Sequence, residues 1–155
     1  MRAMTDEIEI ARADPREPGA AALLTASSAL LQALFDPDSN HALGIEDLAS
    51  PEVLFFVARQ GGDVVGTGAL VPNEGYGEVK AMFVGPDARG HGIAAKLLER
   101  LENEARALGL TVLRLETGDA LEEAVRLYER AGFRERGPFG SYAEDARSLF
   151  MEKRL

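Results

Sequence analysis

The sequence predicts a mixed-sheet α/β (α+β) fold, on three observations. A β-prone stretch with two tight-turn signals spans residues 53–84. Two helical patterns, each closed by a glycine, follow at 89–108 and 121–131. Strand-like segments at 110–115 and 149–151 alternate with those helices. An antiparallel front joined to a β-α-β-α-β back argues against a doubly wound parallel sheet. At 155 residues the chain has the size of one domain, so residues 1–155 are expected to form a single one.

Ile8, Ile10 and Ala11 suggest a first strand over about 6–12. Pro15 and Pro18 lead into a helix over 17–34, whose apolar face holds Leu23, Leu24, Leu30, Leu31 and Leu34. Asp36 to Asn40 is a polar loop, and Gly44 to Leu48 a short helix ended near Pro51. Val53 to Val57 is strongly β-prone, Gly61-Gly62-Asp63 is a turn, and Val64 to Val71 is the hairpin partner. Asn73-Glu74-Gly75 turns the chain again into a strand over 78–84, with Val79 and Ala81 expected on one face and Lys80 and Met82 on the other. Ile93, Leu97 and Leu101 set the helical stripe of 89–108, and Gly109 supplies the left-handed residue that ends it. The second amphipathic helix closes at Gly132. Glu102–Arg106 and Glu122–Arg126 have the spacing of i,i+4 surface pairs.

Composition narrows the function. Apolar residues make up 46% of the chain, enough for a packed core. The formal charge is −9, which repels phosphate backbones and would attract an amine-bearing substrate, although solubility alone also accounts for it. Without cysteine there is no disulfide, no thiolate zinc site and no cysteine nucleophile. That composition suits a cytoplasmic protein. Residues 1–14 alternate acidic and apolar side chains, unlike a secretory leader, and no apolar run approaches a membrane span. His41 and His91 lie too far apart to suggest a metal site.

The segment Arg89-Gly90-His91-Gly92-Ile93-Ala94 lies between a strand and a long helix. A helix start leaves backbone N–H groups unpaired and carries partial positive charge. Glycines there let a phosphate approach the amides, and Arg89 adds full charge. No Gly-Lys-Ser/Thr follows, so it is not a Walker loop. The missing third glycine and the preceding meander exclude a dinucleotide fingerprint.

At these residues the chain resembles the GCN5-related N-acetyltransferase (GNAT) superfamily, whose hallmark Arg/Gln-x-x-Gly-x-Gly/Ala is met by Arg89 to Ala94. A second hallmark, Ala-x-x-Leu-Tyr-x-x-x-Gly-Phe, is met by Ala124 to Phe133, and the order of elements agrees over nearly the whole chain. Many relatives carry Asn where this chain has Leu121. The resemblance implies a splay between the strands at 78–84 and 110–116. Pantetheine would pair with main chain at Met82, Phe83 and Val84. Pyrophosphate would sit on Arg89, Gly90, His91, Gly92, Ile93, Ala94 and Ala95. It also implies acetyl-CoA as acyl donor, no metal, and an amine acceptor on a small molecule or protein. Association as a homodimer is compatible with the sequence.

Acetyl transfer to an amine calls for a base, an oxyanion donor and an acid. The resemblance makes Tyr128 the acid, although its place on the Ala124–Ala131 face also suits a core aromatic. The resemblance likewise implies two candidate bases, Glu78, eleven residues before Arg89, and Glu116, twelve before Tyr128, with a water chain also open. Each also fits a strand carboxylate paired with Lys80 or Arg114. The oxyanion donor would be a backbone N–H near Val84. His91 reads as a loop residue and His41 as a capping or packing one. Gly137 to Tyr142, rich in glycine and aromatics, either covers the acceptor pocket or simply turns the chain. A rival reading is a non-catalytic acyl-CoA-binding regulator, and a second is an interaction module that binds no CoA.

Overall fold

The computed structural model describes residues 7–155, so the start of the expected 6–12 strand lies outside the described residues. The elements are β1 (Ile8–Arg12), α1 (Pro18–Leu34), α2 (Ile45–Leu48), β2 (Leu54–Gln60), β3 (Asp63–Asn73), β4 (Tyr76–Val84), α3 (Ile93–Ala107), β5 (Val112–Gly118), α4 (Glu122–Arg130), β6 (Arg134–Arg136) and β7 (Ser148–Arg154). The strands form one sheet in the order β1-β2-β3-β4-β5-β7-β6. Every neighbouring pair is antiparallel except β4 and β5.

The turn chemistry explains the meander. Gly61 and Gly62 have φ of 58° and 88°, the left-handed pair that a two-residue hairpin needs to match strand twist. Gly75, at φ 87°, does the same service between β3 and β4.

Both later helices end alike. The Leu110 N–H donates to Ala105 O at 2.9 Å and Gly109 N–H to Arg106 O at 3.0 Å, a Schellman closure on a left-handed Gly109. In α4 the Phe133 and Gly132 N–H groups bond Tyr128 O and Glu129 O, and the rings of Phe133 and Tyr128 meet at 5.7 Å. Leu110 is thereby tied to α3, so β5 starts at 112, later than the expected 110, and runs on to Gly118.

The sheet is covered on both faces. Phe56, Leu70, Val79, Leu113 and Leu115 pack with the stripes of α3 and α4, while Phe55, Val57 and Ala69 pack with Ala20 of α1 and Leu48 of α2. This alternation along β2 and β3 is the period of two turned into two cores.

Sequence expectations need correction at four places. Residues 89–92 are not helical: Gly90 and Gly92 have φ of 85° and 74°, and α3 begins at Ile93. The three-residue β6 was not expected, and β7 extends the expected 149–151 at both ends by pairing along the whole of β5. Val79 and Ala81 do not share a face, because Ala81 belongs with the α1 core and Met82 with Val79. A bulge causes this: Thr67 pairs with Phe83 but Ala69 with Lys80, leaving two residues opposite Gly68. Ala81 takes φ 57°, and the buried Thr67 hydroxyl fixes it by donating to Ala81 O at 2.7 Å. Glu102 is no surface carboxylate either: it is 8% exposed and accepts from Lys153 Nζ at 2.8 Å, with Arg106 at 3.6 Å.

Candidate active site

β4 and β5 pair only through Gly77–Leu113 and Glu78–Arg114, then diverge. The right-handed twist of adjacent strands and the bulge at Ala81, beyond the last paired residue Glu78, carry β4 away from β5. The gap opens into a cleft of 1820 Å³, walled by Met82, Phe83 and Val84 of β4 and by Glu116, Thr117 and Gly118 of β5. Helix α1 and its following segment close one end.

At the α3 end, Arg89, Gly90, Gly92, Ile93, Ala94 and Ala95 line the cleft. The first α3 bond runs from Lys96 N–H to Gly92 O at 3.1 Å, so the N–H groups just before it point out of the helix end. A Cβ on Gly90 or Gly92 would meet nothing within 4 Å. Their glycine identity answers the left-handed backbone, which costs other residues roughly 1–2 kcal/mol, and it also keeps the amides uncovered. Arg89 Nε donates to Val84 O at 3.1 Å, and its guanidinium lies 5.7 Å from the Phe83 ring centre. Backbone donors, a helix dipole and a cation suit a pyrophosphate, so the residues present fit the phosphate end of a CoA ester. His91, between the two left-handed glycines, is exposed and lies outside the cleft wall.

At the other end, five titratable groups named from sequence or missed by it come together. Glu116 lines the cleft and accepts from Ser148 Oγ at 2.8 Å. Burial pushes its carboxyl pKa up and the charge of Glu78 adds to this, against the Ser148 hydrogen bond, His41 and Lys80. Tyr128 lines the same cleft at 6% exposure. Burial, then the charge of Glu116, raises its phenol above the ordinary value, so it stays protonated at neutral pH.

Glu78 sits behind the cleft wall. Its Oε2 accepts from Tyr142 Oη at 2.5 Å and lies 3.5 Å from Lys80 Nζ. Lys80 also donates to Tyr142 Oη at 2.6 Å and to His41 O at 3.0 Å. This buried network ties β4 to the 137–142 loop and to the segment before α2. A second tie, Ser39 Oγ donating to Asp145 Oδ2 at 2.7 Å, joins the same two loops.

Sequence reasoning thus found Glu116 and Tyr128 on separate elements, and the fold brings both to one cleft. It missed Lys80 and Tyr142 as a unit, and Ser148 altogether. The aromatic loop was a signal for Tyr142, but its partners lie 62 and 64 residues away and no local pattern links them. Among the described residues no group of three His, Asp or Glu is placed to hold a metal ion, and no helix is long and apolar enough to cross a membrane.

Comparison with known proteins agrees with this architecture. The model of the Acetyltransferase (GNAT) family matches residues 22–133. An IAA acetyltransferase of Azospirillum brasilense is 48% identical over 150 residues, covering 96% of this chain and 98% of that protein. The N-acetyltransferase YsnE of Bacillus subtilis, itself uncharacterized, is 40% identical over 122 residues, 77% of this chain and 81% of that one. A Klebsiella pneumoniae structure assigned as an acyl-CoA N-acyltransferase superposes with a TM-score of 0.82 at 35% identity, covering 97% of this chain and 99% of that chain.

Proposed function

The chain belongs to the GNAT acetyltransferase family, and from that premise we propose that it transfers acetyl from acetyl-CoA to a primary amine held at the Glu116 end of the cleft. The observation that carries this reading is the loss of β4–β5 pairing after Glu78–Arg114. It opens one continuous cleft from the bare amides of α3 to Glu116 and Tyr128.

The chemistry follows from what each group can do. The amine nitrogen attacks the thioester carbonyl carbon, and the C–S bond breaks. Glu116 as a carboxylate takes the proton that the amine loses. A main-chain N–H on the open edge of β4 near Val84 stabilises the developing oxyanion. Tyr128, kept protonated by burial, gives its proton to the departing sulfur. The reaction is then balanced: one N–C bond is made, one C–S bond is broken, and one proton passes from nitrogen to sulfur through the protein and solvent. Glu78 has its carboxylate committed to Tyr142 and Lys80, which favours Glu116 as the base.

The test measures free CoA thiol released from acetyl-CoA over a panel of acceptors. The panel holds 2-phenylethylamine, L-phenylalanine, spermidine, a lysine-containing peptide, and IAA, the compound for which the Azospirillum relative is named. Release that depends on an amine supports the proposal. Tight acetyl-CoA binding without acceptor-dependent release would make the protein a binding-only regulator.

A further inference from the structure

The Glu116 end of the cleft contains a buried polar atom that the chemistry above leaves unused. His41 lies in the segment between α1 and α2 and lines the cleft. Its Nε2 is buried with no hydrogen-bond partner, alone in this among side-chain nitrogens and oxygens of the described residues. Leaving such an atom unpaired forfeits the hydrogen bond it would make to water in the unfolded chain.

The surrounding contacts hold it there. The His41 carbonyl accepts from Lys80 Nζ at 3.0 Å, and the imidazole meets Tyr142 edge to face at 5.3 Å. Glu116 shares the cleft wall with His41. Lys80, the cation of this cluster, has its ammonium engaged by His41 O, Tyr142 and Glu78. Leu31, Phe35 and Leu43 give the neighbouring wall an apolar character.

We propose that His41 is the acceptor-contacting residue, its imidazole accepting a hydrogen bond at Nε2 from the amine N–H while Glu116 faces the same nitrogen. This rests on the amine-acetylation reading above. Lys80 is a positioning residue, holding the main chain from which His41 projects. With Lys80 engaged internally and Glu116 in the wall, the acceptor class is a primary amine on an apolar frame with no carboxylate beside the nitrogen. A carboxylate there would meet Glu116 and find the Lys80 ammonium already partnered.

Steady-state thiol release by wild type, His41→Ala, His41→Gln and Lys80→Met tests this, with acetyl-CoA binding followed in parallel by thermal shift. His41→Ala should raise the KM for 2-phenylethylamine roughly tenfold, the size of one lost hydrogen bond to a charged or polar group. Acetyl-CoA affinity should not change. His41→Gln, which keeps a hydrogen-bonding group, should recover part of that loss. Lys80→Met should raise the amine KM in the same direction at unchanged acetyl-CoA affinity. L-Phenylalanine should be a poorer acceptor than 2-phenylethylamine. An active wild type whose amine KM is unaltered in His41→Ala overturns this inference alone, as does turnover confined to amines bearing a carboxylate. A wild type that releases no thiol with any amine of the panel overturns the acetyl-transfer reading and this inference with it.

Discussion

Glu116 and Tyr128 are both pushed toward their protonated forms by burial, and for the proposed acid–base pair this has opposite consequences. For Tyr128 it preserves a proton to give. For Glu116 it shifts the pH at which a carboxylate becomes available. The folded pKa of Glu116 lies above its unfolded one, so the fold binds the proton more readily. Stability therefore falls as pH rises from the ordinary carboxylate range through the raised value, while base strength appears over that same window. The rate should rise with pH along a limb displaced above the usual carboxylate pKa. Glu116→Gln should abolish the limb, with activity returning only near the amine's own pKa of ~10. Glu78→Gln, which loosens the Tyr142 and Lys80 contacts instead, should leave the limb in place. A limb lost in Glu78→Gln and kept in Glu116→Gln would exchange the two roles. Tyr128→Phe removes only the hydroxyl, and the ring contact with Phe133 survives. It should lower kcat about 100- to 10,000-fold, or roughly 2.7–5.5 kcal/mol of barrier, without changing acetyl-CoA affinity. Unchanged chemistry-limited turnover would make Tyr128 a core aromatic.

At the scale of elements, the end of α1 decides the shape of the acceptor side. Phe35, which caps that helix, is buried against the end of β5. A Cβ added to Gly118 would sit 2.0 Å from Phe35 Cζ, with no space between them. Gly118 has no unusual φ, so here glycine answers a close approach and not a backbone conformation. Gly118→Ala should push Phe35 and the end of α1 outward. Overpacking of this kind costs about 1–3 kcal/mol, read as a lower urea midpoint with unchanged slope. Because α1 walls the cleft, the KM for the amine should rise while acetyl-CoA affinity changes little. An unaltered midpoint would mean that Phe35 has somewhere else to go.

Over the whole molecule, the mixed sheet supports the cleft from both sides. α3 presents the amides proposed to bind phosphate and packs on β3, while α1 and α2 cover the other face. A donor bridging β4 and β5 past their last paired residues should therefore hold the two halves of the sheet together. At 100 times its dissociation constant, acetyl-CoA should add about 2.7 kcal/mol. For a chain of this length that is roughly 5–11 °C in Tm, measured by scanning calorimetry. No shift at millimolar acetyl-CoA would remove the phosphate role assigned to the Arg89–Ala95 segment.

Local chemistry was legible along the chain wherever one residue type has one physical use. Paired glycines marked the Gly61-Gly62 hairpin, Gly109 and Gly132 marked the helix ends, and apolar periodicity separated strands from helices. The Arg89–Ala95 segment and Tyr128 could be picked out because the residues carrying their motifs are contiguous. Tertiary structure decided what depends on partners distant in sequence. The Ala81 bulge is set by Thr67 on the neighbouring strand, so alternation alone misplaced Ala81 and Met82. Two glutamates equivalent in sequence were separated by their surroundings: Glu78 is enclosed by Tyr142 and Lys80, whereas Glu116 opens on the cleft. His41, read from sequence as packing or capping, acquires an unpaired nitrogen in that cleft. Such differences arise from desolvation and from contacts across 14 to 64 residues of chain, and neither is written in the residues that flank each site.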